Sequence, residues 1–130
     1  MSNVPDSLRY TSDHEWTKDE GGRVTVGITA FAVEQLGDIT LVNIDVKVGD
    51  DLEAGKAFGT IESVKTLSDL FAPVSGKVVA VNADLESKPE LVNEDCYGKA
   101  WMITLDAAPG STSALLDAAA YNAHLKATAH

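Results

Sequence analysis

The sequence has few residues that could form disulfides or bind metal ions. Cys96 is the only cysteine among 130 residues, and histidine occurs three times. An internal disulfide is therefore impossible, and a Cys/His metal cluster cannot be assembled. We predict no metal site, and any redox chemistry must come from an attached group.

Long apolar runs are also missing. No segment approaches the length needed to span a bilayer, and the residues from Met1 to Leu8 lack the basic and apolar pattern of a signal peptide. The composition, with 45% hydrophobic and 23% charged residues, is typical of one soluble globular domain. We expect a single cytoplasmic domain over residues 1–130, with a monomer as the default state.

Basic residues are scarce. The chain has ten lysines and arginines and twenty acidic residues, which gives a formal net charge of −10. Such a charge opposes binding to phosphates, so nucleic acid and anionic membranes are not expected as partners. Partner surfaces with positive charge are favoured instead.

The N-terminal third predicts a β-hairpin followed by a short helix. Two strand patterns, Glu15–Lys18 and Val24–Ile28, flank the turn signal Gly21-Gly22. Thr29 can cap a helix over Ala30–Leu36, and Gly37 stands where a residue with positive φ would end it. Hairpin and helix together occupy about residues 9–37.

The middle of the chain, about residues 38–105, predicts a β core. Bursts of β-branched and apolar residues alternate with turn residues, which favours a small antiparallel barrel or sandwich over a layered parallel sheet. The predicted strands are Ile39–Val46, Ala57–Ile61, Leu67–Ala72, Val78–Val81 and Trp101–Leu105. A weak internal duplication places Lys65 at an exposed crossing between two similar halves.

The end of the chain predicts a helix. Pro109-Gly110 breaks the preceding strand, and the residues from Ser111 to Ser113 offer caps for an alanine-rich helix over about residues 112–126. Leu115, Leu116 and Leu125 would pack this helix onto the body of the protein.

The segment around Lys65 resembles the attachment sites of lipoyl and biotinyl carrier domains. In those families a lysine at a hairpin tip is acylated, and an Ala-Pro-x-x-Gly stretch follows, here Ala72-Pro73-Val74-Ser75-Gly76. Further motifs resemble the glycine cleavage H-protein family and cover nearly the whole chain. They are Asp13-His14-Glu15-Trp16, Gly27-Ile28-Thr29, Leu36-Gly37-Asp38, Glu62-Ser63-Val64-Lys65, Leu91-Val92-Asn93 and Trp101-Met102-Ile103.

This resemblance implies a mainly β fold of the lipoyl/biotinyl-carrier type. The fold is a barrel-sandwich hybrid, or hammerhead, of two antiparallel sheets, with a short helix on the N-terminal side and a C-terminal helix. It also implies a carrier without catalytic residues, whose lipoic acid is attached to Lys65 within the motif formed by Glu62, Ser63 and Val64. A lipoate ligase or a lipoyl/octanoyl transferase would attach the group.

By the same resemblance, three enzymes would act on the arm. A pyridoxal-phosphate glycine decarboxylase (P-protein) would load it with an aminomethyl unit, and a tetrahydrofolate-dependent aminomethyltransferase (T-protein) would unload it. A dihydrolipoyl dehydrogenase (L-protein) would reoxidise it. The aminomethyl unit is cationic and prone to hydrolysis, so a cleft that pairs its charge and excludes water is expected. Glu15 and Asp69 are the candidates, with His14 and Asp13 beside them.

Other functions fit less well. A biotin carrier usually has methionines where Val64 and Thr66 stand, and a 2-oxo acid dehydrogenase lipoyl domain usually has aspartate before the lysine. A lipoate relay, which passes its group to other complexes, stays open, as does an unmodified binding barrel. A small hydrolase using His14 and Glu15 lacks a nucleophile motif. Trp16 and Trp101 are interpreted as core anchors, and Cys96 as incidental because no cation is apparent beside it.

Overall fold

The structure is a computed structural model that describes residues 4–108 and 110–128. Within them lie nine strands and four helices. In chain order these are β1 (Arg9–Tyr10), β2 (Glu15–Glu20), β3 (Arg23–Ile28), α1 (Ala30–Leu36), β4 (Ile39–Ile44), β5 (Asp51–Leu52), β6 (Ala57–Ser63), β7 (Leu67–Phe71), β8 (Gly76–Val81), α2 (Asp84–Ser87), α3 (Leu91–Glu94), β9 (Ile103–Ala107) and α4 (Ala118–Thr128). In this part of the chain no helix is both long and apolar enough to cross a membrane.

The strands form two antiparallel sheets that pack around one apolar core. One sheet has six strands in the order β1-β2-β3-β9-β8-β5, and the other has three in the order β4-β6-β7. Fully buried side chains from both sheets meet between them, including Phe58, Ile61, Val78 and Leu105. The predicted mainly β fold with two antiparallel sheets is confirmed, and the sheets do not close into a barrel.

The N-terminal hairpin and the short helix form where the local signals place them. β2 and β3 pair across the Gly21-Gly22 turn, and α1 begins after Thr29, whose Oγ1 accepts a hydrogen bond from the Ala32 N–H at 3.3 Å. Trp16 lies across Gly27, where a Cβ atom would come within 2.6 Å of the indole ring. The hairpin therefore needs glycine at this position to seat the tryptophan.

A second apolar cluster joins the hairpin to the C-terminal helix. Tyr10 and Tyr121 are fully buried and stack with ring centroids 4.6 Å apart. Trp16 belongs to the same cluster, and Trp101 and Leu125 pack against its edge. Trp16 thus has the core role predicted from the sequence, whereas Trp101 is half-buried and packs against this cluster from outside.

The C-terminal helix begins at Ala118, later than the predicted start near residue 112. Leu116 pairs with Tyr10 through two backbone hydrogen bonds of 2.7 and 2.9 Å, which holds the chain extended at that point. The Asp117 side chain, and not the serines at 111 and 113, caps this helix by accepting a hydrogen bond from the Ala120 N–H in its first turn at 2.8 Å. The predicted break at Pro109 lies outside the described residues. The sequence prediction also missed four short elements, β1, β5, α2 and α3.

Candidate functional site

Lys65 lies at the exposed tip of the hairpin between β6 and β7. The Ser63 N–H donates to the Thr66 carbonyl at 2.8 Å, which closes the turn. The Ser63 hydroxyl accepts hydrogen bonds from the N–H groups of Lys65 and Thr66, both at 3.2 Å. These bonds satisfy the backbone of the tip locally, so the lysine side chain can extend into solvent without disturbing the fold.

Exposed apolar side chains surround the hairpin tip. Val64 is 68% exposed and Leu67 is 59% exposed, and Leu41 on β4 is 44% exposed. Leu41 pairs across the sheet with Glu62, which pairs in turn with Leu67. Because paired residues share a face of the sheet, the two leucines flank Glu62. We call Leu41, Val64 and Leu67 the tip patch.

A cleft of about 360 Å³ opens beside the hairpin. Its apolar lining consists of Ile28, Phe31, Ala32, Leu36, Ile61 and Leu70, and its polar lining consists of Asp13, His14, Glu15, Gln35, Ser68 and Asp69. All four predicted cleft candidates therefore lie in one place. Residues from the loop before β2, from α1 and from the β6–β7 hairpin meet there.

Glu15 is the buried acid of the cleft, with 2% of its surface exposed. Its Oε1 accepts a hydrogen bond from the Thr11 hydroxyl at 2.9 Å, and its Oε2 accepts one from the Phe71 N–H at 3.2 Å. Burial raises the pKa of Glu15 to about 7, although both hydrogen bonds act in the opposite direction. The cleft thus contains a carboxylate that is poorly solvated near neutral pH and would be stabilised by a cation.

His14 forms one wall of the cleft and is held in an unusual backbone conformation. It has φ +69°, and its Nδ1 lies 2.9 Å from the hydroxyl of Tyr121. That hydroxyl is also 2.7 Å from Thr29 Oγ1, and the His14 ring lies against Phe31 with centroids 4.7 Å apart. The ring is packed against Phe31 and hydrogen-bonded to Tyr121.

The charge of His14 affects what the cleft can bind. Burial lowers the pKa of His14 below its ordinary value of 6.5, and His124 lowers it further, while Asp13 acts in the opposite direction. At pH 7 the ring is therefore mainly neutral. A neutral histidine does not repel a cation, so the acidic groups set the sign of the charge in the cleft.

The acidic candidates occupy different depths. Asp13 and Asp69 are exposed at the mouth of the cleft, whereas Glu15 is buried. A charge at the mouth is screened by water, but a buried charge interacts more strongly with a ligand because the local dielectric constant is lower. Glu15 is thus the residue with the largest expected influence on a bound cation.

Sequence reasoning missed two residues that support the cleft. Thr11 accepts hydrogen bonds from the N–H groups of Asp13 and Glu15, both at 3.2 Å, and its place two residues before Asp13 is a local signal for such a turn. Tyr121, which fixes His14, gives no comparable signal because the two residues are 107 positions apart.

Cys96 and the acidic side chains form no further reactive centre in the described residues. Burial raises the pKa of the Cys96 thiol to about 11, so the thiol stays protonated and unreactive at neutral pH. No group of three or more His, Cys, Asp or Glu side chains between residues 4 and 128, Pro109 apart, is arranged to hold a metal ion.

Comparison with known proteins gives the same family throughout. A family model described as glycine cleavage H-protein matches residues 8–128. The glycine cleavage system H protein of Symbiobacterium thermophilum is 51% identical over 127 residues, which are 97% of this chain and 98% of that protein. The one from Bacteroides thetaiotaomicron is 53% identical over 122 residues, covering 93% and 96% of the two chains. A crystal structure of the H protein from Mycobacterium marinum superposes with a TM-score of 0.87 at 37% identity, covering 95% and 99%.

Proposed function

Because the chain belongs to the glycine cleavage H-protein family, we propose that it is a non-catalytic carrier with a lipoyl group on Lys65. It carries an aminomethyl unit, the cationic cargo, from glycine decarboxylase to aminomethyltransferase. Dihydrolipoyl dehydrogenase then reoxidises the lipoyl arm. The observation that carries this proposal is the position of Lys65, at an exposed hairpin tip beside a cleft with a buried carboxylate.

The residues at the tip suit covalent attachment. When bound, the lipoyl group would supply a strained cyclic disulfide that opens reductively as it takes up the cargo; release of the cargo would leave a dithiol, which dihydrolipoyl dehydrogenase would reoxidise by two electrons. Lys65 supplies a flexible stem and a nitrogen that forms a stable amide, and the turn held by Ser63 presents this lysine at an exposed position. An acylating enzyme can therefore surround the lysine without unfolding the hairpin.

The cleft lies within reach of a group attached at the tip. Ser68 follows Lys65 by three residues and Leu70 by five, which corresponds to roughly 10 and 17 Å along an extended strand. A lipoyl-lysine arm of about ten single bonds spans roughly 14 Å. The cargo can thus enter the cleft, where Glu15 pairs with its charge and the apolar lining excludes water.

The tip patch is suited to contact with the partner enzymes. Three side chains of 44 to 68% exposure lie around a residue that several enzymes must approach, and exposed apolar groups next to a functional residue commonly mark interaction sites. The formal charge of −10 favours partners with basic surfaces. We infer that the acylating enzyme and the three system enzymes cover this patch, with basic residues around it.

The test of the function is reconstitution. Lipoylated protein mixed with glycine decarboxylase, aminomethyltransferase, dihydrolipoyl dehydrogenase, tetrahydrofolate and NAD should release labelled carbon dioxide from carboxyl-labelled glycine, and the unlipoylated chain should not. Lipoylated chain that passes its group to 2-oxo acid dehydrogenases but supports no glycine cleavage would contradict the proposal and favour a lipoate relay.

The tip patch gives a separate prediction. Leu67→Ser should raise the KM of the acylating enzyme and of glycine decarboxylase for this protein about tenfold, because a leucine that becomes buried in a complex contributes roughly 1.5 kcal/mol. Val48→Ser is the matched control, since Val48 is 65% exposed but lies in the turn before β5. Equal KM values for both variants would show that the partners do not use the patch.

A further inference from the structure

The stem of Lys65 lies across Gly37, the residue that ends α1. A Cβ atom at Gly37 would come 3.3 Å from Lys65 Cε and 3.8 Å from its Cδ and Nζ. Gly37 has φ +81° and ψ −147°, a conformation available almost only to glycine. The backbone there forms a shallow seat for the methylene chain, and a side chain would fill that seat.

This seat is at the entrance of the cleft. Gln35 and Leu36 immediately precede Gly37 and line the cleft, and Ser68 lines it from the hairpin side. A stem that crosses Gly37 therefore leaves the tip between α1 and β7. The direction in which the stem departs determines whether an attached group enters the cleft or extends into solvent.

The seat is tied to the hairpin tip. The Val64 N–H donates to the Asp38 carbonyl at 3.0 Å, so the residue before the lysine is fixed to the residue after Gly37. A shift of residues 37–39 would therefore also move the backbone of the tip. When these residues are held in place, the Lys65 stem keeps its position over Gly37.

Asn93 on α3 holds the seat from the other side. Its Nδ2 donates to the Gly37 carbonyl at 2.9 Å, and its Oδ1 accepts from the Ile39 N–H at 2.9 Å. The Asn93 amide thus donates one hydrogen bond to residues 37–39 and accepts one from them, as the backbone of a neighbouring strand would. Neither bond involves Lys65 or the cleft, so Asn93 acts on the lysine only through the segment that it clamps.

We propose that Asn93 is a positioning residue, which clamps residues 37–39 so that the stem of Lys65 lies across Gly37 and directs an attached arm into the cleft. The structural part of this proposal concerns the unmodified chain. Its consequence for the loaded arm rests on the proposed carrier function.

The structural part is tested by NMR on the full unmodified chain. The wild type should show nuclear Overhauser effects between the ε-methylene protons of Lys65 and the α protons of Gly37. Asn93→Ala should lose them, with chemical-shift changes confined to residues 37–39, 63–66 and the surroundings of position 93. Asn93→Asp, which keeps the acceptor for Ile39, should retain them at reduced intensity. Asn43→Ala is the matched control, because Asn43 is also exposed and hydrogen-bonded but lies on β4, bonded to Asp45.

The functional part is the lifetime of the cationic cargo on lipoylated protein. Loss of two hydrogen bonds should shorten it about five- to tenfold in Asn93→Ala and leave it unchanged in Asn43→Ala, while intact mass shows full lipoylation of both. Persistent Overhauser effects in Asn93→Ala, or equal lifetimes in the two variants, would overturn the clamp. A wild-type chain that is never lipoylated would instead overturn the carrier function, and the NMR comparison would still decide the clamp.

Discussion

Lys65→Arg will carry no lipoyl group after expression with lipoate and an active ligase, whereas the wild type will gain the mass of one lipoyl group. Arginine keeps the positive charge and the length of the side chain, but its delocalised guanidinium does not deprotonate in proteins and does not form the stable amide. The expected effect is complete loss, measured by intact-mass spectrometry. Glycine cleavage in the reconstituted system should fall to the level without the carrier.

Lys56→Arg is the matched control for this result. Lys56 is also exposed and lies in the turn at the opposite end of β6, where its carbonyl accepts a hydrogen bond from the Ala72 N–H at 2.8 Å. This variant should be lipoylated like the wild type. A mass increment that persists in Lys65→Arg, or that disappears in Lys56→Arg, would move the attachment site and remove the basis of the proposed function. An increment of biotin size would select a biotin carrier instead.

Glu15→Gln is expected to stabilise the fold at alkaline pH. Burial raises the pKa of Glu15 from 4.5 to about 7, so the neutral form is favoured in the folded state. Its contribution to stability is fully present below pH 4.5 and is lost as the pH rises through about 7. The shift of this pKa from 4.5 to about 7 corresponds to a loss of about 3 kcal/mol in the free energy of unfolding between acidic and alkaline pH.

Glutamine removes this titration and keeps a group that can bond to Thr11 or to the Phe71 N–H. In urea unfolding the variant should therefore exceed the wild type in free energy of unfolding by about 2 to 3 kcal/mol at pH 8, and by less than about 1 kcal/mol at pH 4.5. Glu20→Gln, on the exposed end of the same strand, is the control and should show no such pH-dependent difference. If the difference in free energy of unfolding between Glu15→Gln and wild type were the same at pH 4.5 and pH 8, burial would not raise the pKa of Glu15 in the folded protein.

The same substitution should impair the carrier. A carboxylate that pairs with a cation in a dry cleft contributes about 1.5 to 3 kcal/mol, so the cargo on lipoylated Glu15→Gln should be lost about ten- to a hundredfold faster at pH 8. Asp69→Asn, at the exposed mouth, should have a smaller effect because water screens its charge. Greater stability combined with a shorter cargo lifetime is the expected signature of a buried acid kept for function. If the cargo lifetime on Glu15→Gln equalled that on the wild type, Glu15 would not stabilise the cargo.

Elements defined by neighbouring residues were predicted well from the sequence. Thr29 and Gly37 delimit α1 through contacts within one helical turn, and Gly21-Gly22 sets the β2–β3 hairpin. The missed helices α2 and α3 have four residues each, too few for a periodic pattern to be visible. The start of α4 was predicted too early because Leu116 is held extended by Tyr10, which is distant in sequence.

The grouping of Glu15 with Asp69 was predicted from the positive charge of the implied cargo and from the acidic segment Asp13-His14-Glu15, and not from spacing. The hydrogen bond that fixes Glu15 spans 56 positions, to Phe71, and no local pattern indicates it. Similarly, the motif Leu91-Val92-Asn93 was visible as a sequence feature, but its contact with Gly37 was not. The raised pKa of Glu15 depends on burial, which is a property of the packed environment.

The chain's local order thus determines the turn that presents Lys65, because Ser63 and Thr66 close it through hydrogen bonds over three residues or fewer; the bond from the Val64 N–H to the Asp38 carbonyl ties this turn to a distant segment. The packing of distant segments fixes the groups that line the cleft and its entrance. The depth of Glu15, the neutrality of His14 and the seat at Gly37 arise where two sheets and three helices meet, since burial and electrostatic fields depend on all surrounding atoms and not on sequence neighbours.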